Sequence, residues 1–515
     1  MSSTVNSVPP KKMVPTAEQA SVIRCHDQQM NVHAFAGTGK TSTLLAYTQA
    51  YERERFLYCV YNTANKKEAE QKFGPNTTVK TSHGLAYGSF GYLFQRAGKL
   101  NAIGEKPIDV AKLYECNFGT AKTAMDLVAR YSNLPVNDFE DPLMQLTKAE
   151  TGIVDIAVRL WNDMVDLDNE KIMLNPRLAR KRKVQATHDV YLKQFVMSGQ
   201  AIRGYEVIMM DEAQDMNPLM LHMLEQNRKI RQICVGDKHQ SIYGFRGAVN
   251  ALDKLKGTRF DLTSSFRFGS NLAYCANSVL DEIGETRMIK GLAPQTALAN
   301  TMDATKSRYT YLSRTNAGAV NYAFDTQGPV HFIGGLEAYR IDRILDAYSI
   351  YSNRPERVTD NEFKNFKRFK DLVEYADATG DVEVAMIVHM VREKGHSLPD
   401  LVEDLRRRQM PEDLASLVIA TAHKSKGLEW DRVMLGDFFE WADYVEARDI
   451  SIKNGKPLPS DWVQELNLLY VATTRAKTEF CPSRINKILI QQYRARLAQE
   501  SPKPSGVSTP SPVAA

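Results

Sequence analysis

The chain has 515 residues, with 66 Lys+Arg against 61 Asp+Glu for a net charge of +5, and 43% hydrophobic content; this supports large folded cores and excludes a chain disordered throughout. Its six cysteines are scattered, with no C-x-x-C pair and no clustered histidines, so zinc and iron–sulfur ligation are not expected and a reducing, cytoplasmic compartment fits. No window approaches the roughly 18 uninterrupted apolar residues of a membrane helix, so no membrane partner is expected.

In chain order, residues 1–13 are expected to be disordered, as is the Pro/Ser-rich tail, 501–515. Between them, short apolar runs alternate with helical stretches: VHAF (32–35), FLYCVY (56–61), VIMMD (207–211), ICVGD (233–237), SLVIAT (416–421) and RVMLGDF (432–438). This pattern predicts an α/β fold with parallel sheets covered on both faces and ligand sites at the carboxyl ends of the strands. Two stretches break the alternation. Residues 97–183 carry helix-like periodicity in VDIAVRLWNDMVDL and end in the basic run Arg177, Arg180, Lys181, Arg182, Lys183. They predict a helical insertion whose basic residues either track duplex phosphate or solvate a helix face. Residues 340–411, with the lysine-rich EFKNFKRFKDLVEY, read as a second, shorter insertion. The blocks 14–96 with 184–262, and 263–339 with 412–500, form the two α/β units.

The segment NVHAFAGTGKTSTLLAY places Ala36, Gly37, Thr38, Gly39, Lys40, Thr41 and Ser42 between an apolar strand and a helix. Glycines there let backbone N–H groups converge on phosphate oxygens at a helix N-terminus, Lys40 reaches the β- and γ-phosphates, and the Thr41 hydroxyl takes a Mg²⁺ position. The pattern G-x-x-x-x-G-K-[ST] has Ala34 in first place, outside the cradle. Downstream, VIMMDEAQD ends a buried strand in two carboxylates, Asp211 to hold Mg²⁺ through water and Glu212 to orient and deprotonate an attacking water. A helix N-cap with acidic first-turn residues is the bland alternative, and the upstream phosphate loop argues against it. Together the two segments predict hydrolysis of ATP with Mg²⁺.

In this order the motifs resemble those of superfamily 1 helicases of the UvrD/Rep group, across both α/β units. The resemblance implies two RecA-like parallel-sheet domains, each with an inserted mainly helical subdomain. It implies that Gln19 in PTAEQASVI reads adenine. In VGDKHQSIYGFRGA it gives Gln240 the γ-phosphate and turns Tyr243, Phe245 and Arg246 to single-stranded DNA. LTSSFRFGSN then supplies Phe266 beside adenine and Arg267 at the γ-phosphate. TAHKSKGLEWDRV directs His423 to DNA and Glu429 to the ribose, and NLLYVATTRAK supplies Arg475 as the arginine finger. THDVYLK, HFIGGLEAYRIDRI, FRGAVNAL and LSRTNA resemble the F-box DNA helicase branch more than UvrD proper. No F-box-like module precedes residue 15, and a compact bacterial or bacteriophage setting is expected. Phe245 and Phe266 stand where many relatives have Trp and Tyr, and any aromatic can stack.

As a motor, ATP would lie between the two units, with Lys40, Thr41, Asp211 and Glu212 on one wall and Arg267 and Arg475 on the other, so that hydrolysis follows closure. Gln240 stands a few residues before Tyr243 and would pass a change at the γ-phosphate to the side chains that hold bases. The candidate platform is Tyr61, Tyr243 and Phe245, each stacking contact worth roughly 1–3 kcal/mol, with Asn62, His83 and His423 near the backbone. A core-filling aromatic, or for His83 a satisfied turn histidine, is the bland reading of each taken singly.

The expected function is an ATP-dependent helicase or translocase on single-stranded DNA and ss/ds junctions, in replication, recombination or repair. Its 3′→5′ polarity is implied by the resemblance alone. The alternative is a DNA-dependent ATPase that remodels recombinase filaments or serves as motor subunit of a larger complex. A recombinase or a single-strand-binding protein is the candidate protein partner, and a monomer is expected. The short second insertion implies weaker autoinhibition than in UvrD-like enzymes, and a helicase–nuclease is not expected from the few residues after Lys477.

Overall fold

A computed structural model describes residues 14–60, 63–168, 171–175, 178–242, 251–360, 362–379 and 381–500. Both terminal segments expected to be disordered lie outside these residues, as do Tyr61, Asn62, Arg177, Tyr243, Phe245 and Arg246. The chain divides into two compact units, Met1–Phe35 with Gly39–Leu262, and Ala36–Thr38 with Thr263–Ala515. Among the described residues no helix is long and apolar enough to cross a membrane.

The strands of the first unit are β1 (Gln29–Ala34), β2 (Phe56–Val60), β3 (Thr77–Thr81), β4 (Lys171–Asn175), β5 (Leu178–Arg182), β6 (Val207–Met210), β7 (Arg231–Gly236) and β8 (Thr258–Leu262). Six of them form a parallel sheet in the order β3-β2-β6-β7-β1-β8. Helices cover both faces, so FLYCV and VIMM are buried throughout and read as unbroken apolar runs. The two-residue period still sorts their side chains. Phe56, Tyr58, Val207 and Met209 join Val32 and Leu44 in one core. Leu57, Cys59, Ile208 and Met210 join the opposite one, which continues into Val110, Leu127, Tyr131 and Leu160 of the helical insertion. The insertion therefore shares its core with the sheet.

Arg180, Lys181 and Arg182 of the basic run lie in a strand, not in a helix. β4 and β5 pair antiparallel, with Lys171 opposite Arg182 and Asn175 opposite Leu178. Asn175 ends β4, and in sequence it precedes a proline, whose ring disfavours helical backbone at that position. Arg182 instead anchors the hairpin, its guanidinium paired with the buried Glu105 carboxylate, and Lys183 donates to the Leu167 carbonyl at 3.1 Å.

The second unit contains β9 (Ser264–Ser265), β10 (Lys290–Gly291), β11 (Ala297–Leu298), β12 (Tyr309–Ser313), β13 (Val330–Phe332), β14 (Leu417–Thr421), β15 (Trp430–Leu435) and β16 (Ala476–Cys481). Its main sheet is again parallel, in the order β11-β16-β15-β12-β14-β13. Helices Ile341–Tyr351, Phe369–Thr379, Val382–Lys394 and Leu398–Arg407 fill the second insertion. Ile344, Leu372, Val391 and Leu405 share one core with Val330, Leu417 and Ile419 of the sheet. In EFKNFKRFKDLVEY, Phe363 and Leu372 are buried while Lys364, Lys367 and Lys370 are exposed, so these lysines solvate a packed segment.

Candidate nucleotide-binding site

Strands β6, β7 and β1 are consecutive neighbours and all parallel, so their carboxyl ends lie side by side along one edge of the sheet. Each end carries a motif, DEAQ after β6, GDKHQ after β7 and the phosphate loop after β1, where ligands of open parallel sheets bind. Gly37 and Gly39 have φ of 73° and 77°, a left-handed backbone that costs other residues roughly 1–2 kcal/mol. Gly39 begins the helix Lys40–Ala50 without a side-chain cap, which leaves first-turn N–H groups for an anion.

Around that helix start the side chains form a continuous polar network. The Thr41 hydroxyl lies 3.5 Å from Asp211 Oδ2, and the Tyr58 hydroxyl donates to the same oxygen. The Glu212 amide donates to Asp211 Oδ1 at 2.9 Å. Lys40 Nζ pairs with the Glu212 carboxylate at 3.3 Å. Glu212 itself has φ of 52°, a strained conformation for a residue with a side chain, of the kind found at functional sites. Gln214 donates its amide N–H to Glu212 and accepts from the Asp237 amide at 3.0 Å; Asp237 in turn accepts from Gln240 at 2.8 Å. The candidate base is thereby linked to the candidate γ-phosphate sensor through two side chains.

The electrostatics follow from burial. Desolvation, then the charge of Glu212, raises the Asp211 pKa, with Lys40 opposing. Desolvation disfavours the Lys40 ammonium, but Glu212, Asp237 and Asp211 outweigh it and raise its pKa. The Thr41 hydroxyl and the Asp211 carboxylate are hard oxygen donors, the type Mg²⁺ takes while keeping several waters. Among the described residues no group of three or more His, Cys, Asp or Glu is placed to hold a metal.

In the second unit, Arg267, Glu429 and Arg475 come together. Arg267 Nε donates to Glu429 at 2.7 Å and its Nη1 to the Thr474 carbonyl at 3.0 Å. Arg475 is only 1% exposed, and its guanidinium donates to the Val471 and Leu428 carbonyls at 2.8 and 3.1 Å and to the Thr474 hydroxyl at 3.2 Å. Phe266, beside this cluster in sequence, is 46% exposed. His423 follows β14 in a turn, where its carbonyl accepts from the Lys426 amide.

Residues 18–246 match the family described as AAA domain. The chain is 32% identical over 493 residues to F-box DNA helicase 1 of Gallus gallus, covering 87% of this chain and 47% of that protein. It is 29% identical over 513 residues to F-box DNA helicase protein 1 of Schizosaccharomyces pombe, covering 90% and 56%. DNA helicase IV of Escherichia coli matches at 32% over 296 residues, covering 54% and 34%. The chain thus spans about half the length of the two F-box relatives. It belongs to the UvrD/Rep-like superfamily 1 helicases.

Within this helicase-family chain, Lys40, Thr41, Asp211, Glu212 and Gln240 converge. Gln19 is buried and completes a capping box with Thr16, each side chain accepting the other's backbone N–H. His83 lies on the short helix Ser82–Ala86 after β3, 2.9 Å from Asp189 and edge-on to Tyr191. The structure adds Tyr58, Gln214, Asp237 and Gly236, which the sequence motifs did not single out. A Cβ on Gly236 would fall 2.2 Å from Gln214 Oε1, so the glycine makes room for the residue that orients Glu212. Gln214 and Asp237 stand inside the DEAQD and VGDKHQ motifs, a signal that polar residues flanking a proposed base deserve roles of their own.

Proposed function

We propose that the chain is an ATP-dependent motor that translocates on single-stranded DNA, with 3′→5′ polarity, and opens duplex at ss/ds junctions. The convergence of Lys40, Thr41, Asp211 and Glu212 at the ends of β1 and β6 carries the reading, and the helicase names of its relatives support the DNA substrate. Backbone N–H groups from Ala36 to Ser42 and the Lys40 ammonium hold the phosphates. Thr41 and Asp211 hold Mg²⁺, which when bound neutralises charge on the phosphate oxygens. Glu212, once released from Lys40, orients the attacking water and accepts its proton.

Gln19 and Phe266 take the adenine, and Glu429 takes the ribose. Arg267 and Arg475 stabilise charge on the transferring phosphoryl group, which requires Arg475 to leave the carbonyls of Val471 and Leu428. Tyr61, Asn62, Tyr243, Phe245, Arg246, His83 and His423 contact the strand, and Gln240 reports nucleotide state to them. A recombinase or a single-strand-binding protein is the class of partner this activity would meet in replication, recombination or repair.

Steady-state ATP hydrolysis without nucleic acid and with single-stranded DNA, duplex DNA or single-stranded RNA tests the reading, with Arg475→Ala as control. Stimulation by single-stranded DNA that disappears in Arg475→Ala is the expected result. Turnover indifferent to every nucleic acid would overturn it.

A further inference from the structure

Beside the edge strand β3, the first unit contains an open cavity of about 560 Å³ that plays no part in the phosphate site. Lys80 and Arg203 supply two cations to its wall, and Ser89 and Tyr205 supply hydroxyls. Leu85, partly buried, gives an apolar edge, while Phe195 belongs to the core behind it and is only 4% exposed. Among the described residues no Asp or Glu lines it, and neither cation has a hydrogen-bond or ion-pair partner. The nearest carboxylate in sequence, Glu206, is committed elsewhere: it accepts from the Arg55 amide at 2.6 Å and from the Arg55 guanidinium at 2.7 Å. Two unpaired cations bordering one cavity without a counter-charge favour an anion, and Arg together with Lys suits phosphate. The apolar edge of Leu85 favours an anion that carries a flat, weakly polar body, and the volume falls within the ordinary range for small-ligand sites.

We propose that this cavity binds a nucleotide through its phosphate, with Lys80 and Arg203 on the phosphate and Leu85 against the base. The nucleotide comes either free or as one unit of a strand; the chemistry is the same. The site is separate from the phosphate loop and does not depend on the motor reading.

Acetylation of lysines with an N-hydroxysuccinimide ester, read residue by residue by mass spectrometry, reports Lys80 directly. The probes are adenosine 5′-monophosphate and an oligothymidylate, each against wild-type protein, Lys40→Ala and Arg203→Glu. Saturating probe is expected to slow Lys80 labelling, equally in wild type and Lys40→Ala. Arg203→Glu, on an exposed loop, is expected to remove the protection and weaken binding at the site about tenfold, the loss of one charge-assisted contact, while ATP hydrolysis without DNA is unchanged. Protection by the monophosphate identifies a free nucleotide as the ligand, and protection by the oligonucleotide alone identifies a strand. Lys80 labelling unchanged by both probes, protection that vanishes in Lys40→Ala, or protection that survives Arg203→Glu would overturn the proposal.

Discussion

Lys40 and Glu212 are paired at 3.3 Å, so in this arrangement the carboxylate assigned as base occupies the ammonium assigned to the phosphates. Nucleotide must compete with Glu212 for Lys40, and the same event frees Glu212 for water. Glu212→Gln weakens the competitor without emptying its place. The variant is expected to bind nucleotide at least as tightly as wild type while turnover falls about 10²- to 10⁴-fold, the usual worth of a general base. Equilibrium binding of a fluorescent nucleotide and steady-state hydrolysis check this, and near-normal turnover would remove Glu212 from the role.

Gln214 holds Glu212 on one side and the Asp237 amide on the other, and Gly236 leaves space for it. Gln214→Ala should therefore lower kcat about tenfold to a hundredfold, with little change in nucleotide KM, because a positioned group is lost and the phosphate cradle is not. Gly236→Ala should do the same by pushing Gln214 aside. A rise in KM at constant kcat in both variants would place Gln214 in binding instead.

The phosphate loop and the acidic motif were legible because each is a local word whose spacing dictates its backbone, and the strand preceding each was a plain apolar run. What links them was not legible. Tyr58 meets Asp211 only because β2 pairs with β6 in the register that sets Cys59 beside Met210, and no periodicity reveals the register between two buried parallel strands. Tyr58 therefore looked like any core aromatic in FLYCV. The hairpin in the first insertion is hidden from sequence for a related reason. Over five-residue stretches, apolar and basic residues fit either period, and only the strand pairing decided between them. Of the proposed DNA contacts, Tyr61, Asn62, Tyr243, Phe245 and Arg246 lie outside the described residues, so their roles rest on motif alone.

Lys193 is buried in the first unit and pins the helix His188–Met197 to the end of the helix Phe118–Ser132. Its ammonium donates to the carbonyls of Tyr131, Leu134 and Val136 at 3.1, 2.6 and 2.6 Å and lies 3.9 Å over the Tyr131 ring. Lys193→Met keeps the volume and strands all three acceptors, so a loss of about 3 kcal/mol or more in stability is expected. The exposed Lys112→Met, in the helical insertion of the same unit, should shift stability by no more than about 0.5 kcal/mol. Thermal and urea melts compare them, and equal midpoints would mean that the pin carries no weight.

Lys424 makes the sharper pH prediction. Its ammonium lies 3.3 Å over the Tyr339 ring and 3.0 Å from the Ala338 carbonyl, at the start of the second insertion. Burial lowers its pKa to about 8, with Glu383 the opposing charge. The unfolded chain holds this proton up to about pH 10.4. Between pH 8 and about 10.4 the unfolded state therefore binds more protons than the folded one, and stability from this residue rises with pH; below pH 8 the full penalty of the buried charge is present. Lys193, whose pKa burial also lowers to about 8, adds a slope of the same sign, so the informative quantity is the difference between wild type and Lys424→Met. That difference should change across this window in favour of wild type as pH rises, and stay flat between about pH 6 and 7, where both states keep the proton. A difference that is constant from pH 6 to about 10 would show that Lys424 titrates as an ordinary exposed lysine.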